Sequence, residues 1–205
     1  MSVAELKEPQ GRPAMMDTET VSSARLLELR EKHAGLVGGP LLEVLIKHEF
    51  PGEIAVVSSF GAESAVLLHM VADIDPTVPV IFLNTGKLFG ETLRYRDRLQ
   101  EKLGLTDLRA IAPLPSDLEA KDPNGGLWNQ DPDGCCFVRK VLPLERALSP
   151  FKASITGRKR FQTSTRTMMD PIAAEVVRAV DGLEPSAAKI GSASVRDGAW
   201  MFVRS

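Results

Sequence analysis

Short runs of β-branched and apolar residues alternate along this chain with longer stretches of helical periodicity, and that alternation restricts the fold more than any other feature. "EIAVVSSF" (53–60) and "VPVIFLN" (78–84) are apolar enough to be strands buried on both faces. "LRAIAPL" (108–114) and "FKASITG" (151–157) supply a third and a fourth strand. Between the first two, "AESAVLLHMVADI" has apolar residues at helical spacing. After the second, "LFGETLRYRDRLQEKLG" reads as an amphipathic helix closed by Gly104. Ahead of them, "VSSARLLELREKH" offers Ser22 or Ser23 as an N-cap, and "GPLLEVLIKHEF" reads as a second helix stopped by Pro51 and Gly52. Crossovers of this length permit parallel pairing, so the spacing predicts an α/β fold: a parallel sheet flanked by helices on both faces. Internal repeats and low-complexity tracts are absent from the sequence.

The remaining composition narrows the class. With 43% hydrophobic and 25% charged residues and a net charge of −2, the chain is expected to be globular, with no general affinity for nucleic acid or an anionic membrane. Residues 1–20 are polar and rich in Pro and Gly, and are expected to form a disordered arm. They lack the basic-then-apolar pattern of a signal peptide. No apolar run approaches the ~18 residues of a membrane span. Two cysteines in all do not make a secreted disulfide framework, so a cytoplasmic, reducing location is expected.

Three stretches carry chemistry. "SSFGAESA" (58–65) lies where the first strand hands over to a helix, the edge at which open α/β sheets bind ligands. Ser58, Ser59 and Ser64 supply hydroxyls, Gly61 admits close approach of backbone, and the helix start presents free N–H groups suited to phosphate or sulfate. The same residues equally describe an N-cap and tight turn, and the GxxxxGK[ST] phosphate loop is absent. "NTGKLFGET" (84–92) ends the second strand at the same edge. There Asn84, Thr85 and Gly86 either reach a base or ribose or cap the next helix. "TGRKRFQTSTR" (156–166) gathers Arg158, Lys159, Arg160 and Arg166 with Gln162, Thr163 and Ser164 behind the fourth strand. Guanidinium groups there can pair with sulfate or phosphate oxygens, and the alternative is a solvated charge run.

Cys135 and Cys136, the only cysteines, are adjacent in "DPDGCCFVRKVLPL" (131–144). Four readings stay open: incidental burial, a strained vicinal disulfide, half of a zinc site, or half of an iron–sulfur site. Arg139 and Lys140 lie one helical turn on, where positive charge would favour thiolates.

Taken in order, "SSFGAES", "FLNTGKLFGETLRYRDRL", "DPDGCCFVRKVLPL" and "ITGRKRFQTSTR" resemble the assimilatory sulfonucleotide reductases, the adenylyl-sulfate and phosphoadenylyl-sulfate reductases. The resemblance runs from about Leu41 to Arg166, and the doubled cysteine followed by "RKV" and "PL" resembles the iron–sulfur branch, whose typical substrate is adenylyl sulfate. It implies an adenine nucleotide alpha hydrolase-like (ATP-pyrophosphatase-type) fold. It also implies a reductase domain over residues 21–171, and thioredoxin- or glutaredoxin-dependent reduction of the sulfonucleotide to sulfite and AMP (or adenosine bisphosphate) in sulfate assimilation and cysteine biosynthesis. By position it implies that Ser58, Ser59, Phe60, Gly61, Glu63 and Ser64 line the nucleotide and phosphosulfate site. Asn84, Thr85 and Gly86 would flank the adenosine, with Asn84 standing where many relatives have Asp. Cys135 and Cys136 would hold two corners of a [4Fe–4S] cluster and Lys140 would lie between cluster and substrate. Lys159, Arg160 and Gln162 would meet the sulfate end.

The resemblance also implies a C-terminal CxxC that completes the cluster and an ECGLH-like motif whose cysteine attacks the sulfonate sulfur; neither occurs in these 205 residues. Two chains of a homo-oligomer would pool four thiolates, yet if both cysteines are ligands no thiol remains as nucleophile. Residues 172–205, a helix to about Leu183 and then a small, polar run ending in "AWMFVRS", are expected to be an atypical tail, truncated or frame-altered, that does not continue the sheet. Two other classes compete: a non-catalytic adenine-nucleotide-binding module, and an adenylating ATP-pyrophosphatase-type enzyme. Phe60, Ala62 and Glu63 depart from the SGGxDS-like loop of the latter.

Overall fold

The structure, a computed structural model, describes residues 18–61, 64–157, 172–173, 189–190 and 200–204. Four short strands form its centre: β1 (Ile54–Val57), β2 (Val80–Leu83), β3 (Leu108–Ile111) and β4 (Ala153–Thr156). They run parallel in the order β3-β2-β1-β4, with Val57 opposite both Ile81 and Thr156. This is the predicted parallel sheet.

The two-residue period of the strands sorts their side chains between two layers. Ile54, Val56, Val80, Phe82 and Ile155 join the main core with leucines of the helices α1 (Thr18–Lys32), α2 (Gly38–Val44), α3 (Ser64–Ile74) and α4 (Gly90–Leu103). Ala55 and Ile81 face the other way, onto Leu148 of α8 (Leu142–Leu148) and Phe151. Helices therefore cover both faces. The crossovers β1–α3–β2 and β2–α4–β3 pack in the main core, whereas the connection from β3 to β4 returns over the opposite face. Strand order thus reverses between β1 and β4, and the carboxyl ends of those strands mark the switch point at which open α/β sheets bind ligands.

Local signals account for most boundaries. Gly104 takes φ +66° after α4, and the N–H of Leu105 returns to the carbonyl of Gln100, the usual left-handed helix stop. The second helix ends as a π-helical turn, Leu45–Glu49, so that Leu45, Ile46 and Phe50 are all buried before Pro51 and Gly52 break it. That turn aims Glu49 at α1, where its carboxylate meets Arg25 Nη2 at 2.7 Å, Lys32 Nζ at 2.8 Å and His33 Nε2 at 2.9 Å.

Between β3 and β4 lie three further short helices that the sequence pattern did not signal: α5 (Pro115–Lys121), α6 (Leu127–Gln130) and α7 (Pro132–Cys136). A π-helical turn, Phe137–Val141, joins α7 to α8. Two expectations for the tail are corrected. Ile172–Ala173 forms a strand, β5, so the expected helix does not open there; the rest of that expectation, to about Leu183, lies outside the described residues. The sheet does continue: β7 (Trp200–Arg204) lies antiparallel to β4, and pairs in turn with β5 and with β6 (Lys189–Ile190). The β-branched and aromatic run "WMFVR" has the composition of a strand, which its small, polar lead-in obscures. The arm expected over residues 1–20 falls outside the described residues except for Thr18–Thr20, which open α1.

Candidate functional site

The loop after β1 is a strained, well-anchored turn. Ser58 prolongs the ladder by donating its N–H to the Ile81 carbonyl at 3.0 Å, and its buried Oγ accepts from the N–H of Phe60 at 3.1 Å. Phe60 has φ +53°, the one left-handed non-glycine among the described residues. That conformation costs an ordinary L-residue about 1–2 kcal/mol. The ring offsets it: it is 2% exposed and meets Phe82 edge-on at 5.5 Å, while Arg96 lies over the Phe82 ring at 5.2 Å. Burying a phenyl ring contributes about 1.5–3 kcal/mol, enough to hold the turn. The turn then leaves Ser59 and Gly61 exposed at the sheet edge, and the Ser64 N–H closes back on the Gly61 carbonyl at 2.9 Å where α3 begins. Strain of this kind gathers at ligand sites, where backbone must present donors outward.

The loop after β2 stands beside it, because β1 and β2 pair. Asn84 Oδ1 accepts from the Gly86 N–H at 3.3 Å and Thr85 Oγ1 from the Lys87 N–H at 3.2 Å, so two overlapping side-chain turns shape it. Gly86, at φ +72°, supplies the left-handed residue that the second turn requires.

The cysteine helix reaches this loop through Arg139. Asp131 caps α7 by accepting the Gly134 N–H at 2.9 Å, with Pro132 at its first position. Cys135 is buried and Cys136 exposed, both as free thiols. Arg139 and Lys140 were expected to stand together behind them. Instead Arg139 turns inward, donating from Nη2 and Nε to Asp122 Oδ2 at 2.6 and 3.2 Å and from Nη1 to the Thr85 carbonyl at 2.9 Å. The π-helical turn separates the pair, and Lys140 stays exposed. The Arg139 guanidinium, helped by the Leu127 N–H, holds the Asp122 carboxyl below its ordinary range.

Ser58, Ser59, Phe60, Gly61 and Ser64 are thus brought to one sheet edge with Asn84, Thr85 and Gly86, and Arg139 ties the helix of Cys135 and Cys136 to that edge. Glu63, Lys159, Arg160 and Gln162 lie outside the described residues, as do Arg158, Thr163, Ser164 and Arg166. The chain nonetheless leaves β4 beside the first loop, since Thr156 pairs with Val57 and a Cβ on Gly157 would stand 3.6 Å from Leu67 of α3. Two site residues escaped the sequence reading. One is Asp122, an acid in an unpatterned loop. The other is Thr156, whose buried Oγ1 has no hydrogen-bond partner among the described residues. A hydroxyl in the last position of the strand, just before Gly157, was the available signal. Among the described residues no group of three or more His, Cys, Asp or Glu side chains is placed to hold a metal ion. The cysteine pair supplies two donors where a four-iron cluster takes four thiolates, so this chain's own residues do not fit a complete cluster.

A parallel sheet of this order, with a serine-rich turn entering a helix beside its switch point, defines an α/β protein of the adenine nucleotide alpha hydrolase-like fold. The chain belongs to the family of the phosphoadenosine phosphosulfate reductase domain, whose pattern it matches over residues 53–176. It is 47% identical over 164 residues to an adenosine 5'-phosphosulfate reductase of Mesorhizobium japonicum, covering 80% of this chain and 65% of that protein. It is 45% identical over 159 residues to the enzyme of that name from a Chelativorans species, covering 77% of this chain and 63% of the relative. The chain therefore spans a little under two thirds of these relatives' length. A crystal structure of phosphoadenylyl-sulfate reductase from Candida auris, a phosphate complex, superposes with a TM-score of 0.59 over 82% of this chain and 77% of that one, at 23% identity, and shares the fold. Among the described residues no helix is long and apolar enough to cross a membrane.

Proposed function

We propose that the chain binds adenylyl sulfate, or its 3'-phosphorylated counterpart, as part of a sulfonucleotide reductase of sulfate assimilation. One observation carries this reading: the serine turn after β1 and the Asn84-Thr85-Gly86 loop meet at one carboxyl edge, inside the stretch that matches the family. Exposed Ser59, the Gly61 backbone and the first turn of α3, which has no acidic side chain, suit the anionic end. The basic run from Arg158 to Arg166 would clamp the sulfate. Asn84 and Gly86 would meet the adenosine.

In the reaction the resemblance implies, a thiolate attacks the sulfonate sulfur, the S–O bond to the nucleotide breaks, and AMP leaves. A dithiol such as reduced thioredoxin or glutaredoxin then releases sulfite and becomes a disulfide. The residues of this chain would bind the nucleotide, orient its sulfonate and neutralise the leaving phosphate. In the iron–sulfur branch Cys135 and Cys136 would supply two cluster ligands and Lys140 the nearby positive charge. With no further cysteine in its 205 residues, the chain is expected to bind without turning over. The second reading is a nucleotide-binding module without reductase activity, carried by the same two loops.

Calorimetry with adenylyl sulfate and AMP, run beside an anaerobic assay for thioredoxin-dependent sulfite release and an iron and sulfide analysis, tests both readings. Binding without sulfite is the expected result. Absence of adenylate binding would remove the site, and steady sulfite release would refute the expectation that these residues bind without turning over.

A further inference from the structure

Thr85, Asp122 and Arg139 are three of the six buried polar or charged residues among those described, and they form one network drawn from three separate segments. Thr85 belongs to the loop after β2, Asp122 follows α5, and Arg139 lies in the π-helical turn that extends the helix of Cys135 and Cys136. The Arg139 fork reaches Asp122 Oδ2 with two nitrogens and the Thr85 carbonyl with the third. Asp122 Oδ1 accepts the Leu127 N–H at 2.9 Å, and Lys87 Nζ donates to the Gly125 carbonyl at 2.9 Å. The 84–87 and 122–127 loops are therefore joined to each other directly, and both to the cysteine helix by a single side chain.

Buried ion pairs of this type add little net stability over apolar replacements; what they fix is relative position. The π-helical turn serves that end by burying Arg139 while its neighbour Lys140 stays out. Three donors held in one plane cannot be reproduced by an ammonium group.

We propose that Arg139 is a positioning residue that couples the adenylate loop to the cysteine pair: filling the nucleotide site lowers the reactivity of exposed Cys136, and modifying Cys136 weakens nucleotide binding. This rests on the reading that residues 84–86 receive the adenosine. The coupling is reciprocal, as any linkage between two binding equilibria must be.

The experiment uses the reduced full chain, AMP as the probe, and iodoacetamide alkylation of Cys136 followed by peptide mapping, in wild type, Arg139→Lys and Asp122→Asn. In wild type, saturating AMP is expected to slow alkylation about 5-fold or more, and alkylated protein to bind AMP more weakly by a similar factor. In Arg139→Lys the ratio of rates with and without AMP is expected to fall to about one while cooperative thermal unfolding is retained. Asp122→Asn, which keeps an acceptor oxygen for the fork, is expected to fall between. Undiminished protection in Arg139→Lys would mean that AMP shields the thiol directly, and would overturn the proposal. Should Arg139→Lys not fold, Asp122→Asn carries the same comparison: a weakened ratio supports the coupling and a wild-type ratio overturns it. Failure of wild type to bind AMP would instead strike the reading of the site. The clamp is then judged by amide hydrogen exchange at residues 84–87, which quickens in the variants if Arg139 holds that loop; unchanged exchange refutes it.

Discussion

Replacing Glu49 with Gln tests how the first helix is held to the sheet layer. The Glu49 carboxylate is 4% exposed and meets three cationic or ionisable groups, Arg25, Lys32 and His33, within 2.9 Å. Burial alone would raise its pKa; hydrogen bonds from Lys32, His33 and Arg25 outweigh burial and bring it from the ordinary 4.5 to about 2. A depression of that size corresponds to about 3 kcal/mol in favour of the folded state. Arg25 and Lys32 are 39% and 57% exposed, so solvent screens part of their attraction. The expected contribution is therefore about 2 kcal/mol. Because the folded-state pKa lies below the unfolded one, this contribution is complete above pH 4.5 and is lost as pH falls through about 2. Urea unfolding followed by circular dichroism should find Glu49→Gln less stable by about 2 kcal/mol at neutral pH, equivalent to about 4–8 °C in Tm. The gap should narrow steadily in acid. A deficit that is independent of pH, or no deficit at neutral pH, would refute the assignment of this carboxylate as the ionised centre of the cluster.

Three more outcomes follow from the site. Thr156→Val keeps the β-branched shape and removes a buried hydroxyl that has no partner among the described residues, so it should raise stability by about 1 kcal/mol in denaturant titrations; a loss of that size would mean the hydroxyl has a partner. Phe60→Ala should cost about 3–5 kcal/mol, since the ring is the anchor of a left-handed turn; a cost under about 1 kcal/mol in the same titration would show that the turn holds without it. Under native conditions a polar alkylating reagent should label Cys136 and spare Cys135 until urea opens the helix, with peptide mapping as the readout; equal labelling would contradict the burial of Cys135.

The parallel sheet could be read from its short apolar runs because β1, β2 and β4 are buried along most of their length and bounded by turn residues, with β3 at the edge following at the same spacing. Gly104 and the Pro51-Gly52 pair likewise announce helix ends through backbone chemistry that depends on one or two residues. The short helices α5 to α7 gave no comparable signal: at four to seven residues each they are too brief for periodicity, and tertiary contacts such as Arg139 to Asp122 position them. The serine turn and the Asn84-Thr85-Gly86 loop were legible as edge features because they sit where strands end. The inward turn of Arg139 was not, since a basic residue beside a thiol pair reads as its electrostatic partner and a π-helical turn has no signature in composition. β7 went unread because its pairing depends on β4, more than forty residues earlier in the sequence.

The reversal of strand order has a consequence during synthesis. β1, β2 and β3 can assemble as soon as Ile111 has emerged, but β1 then keeps one flank of unsatisfied amides and carbonyls until Ala153–Thr156 arrives. For some forty residues of translation the nascent polypeptide carries the apolar stretch Ile54–Val57 with one edge unpaired. At that stage it is most exposed to mispairing with other chains and to capture by chaperones.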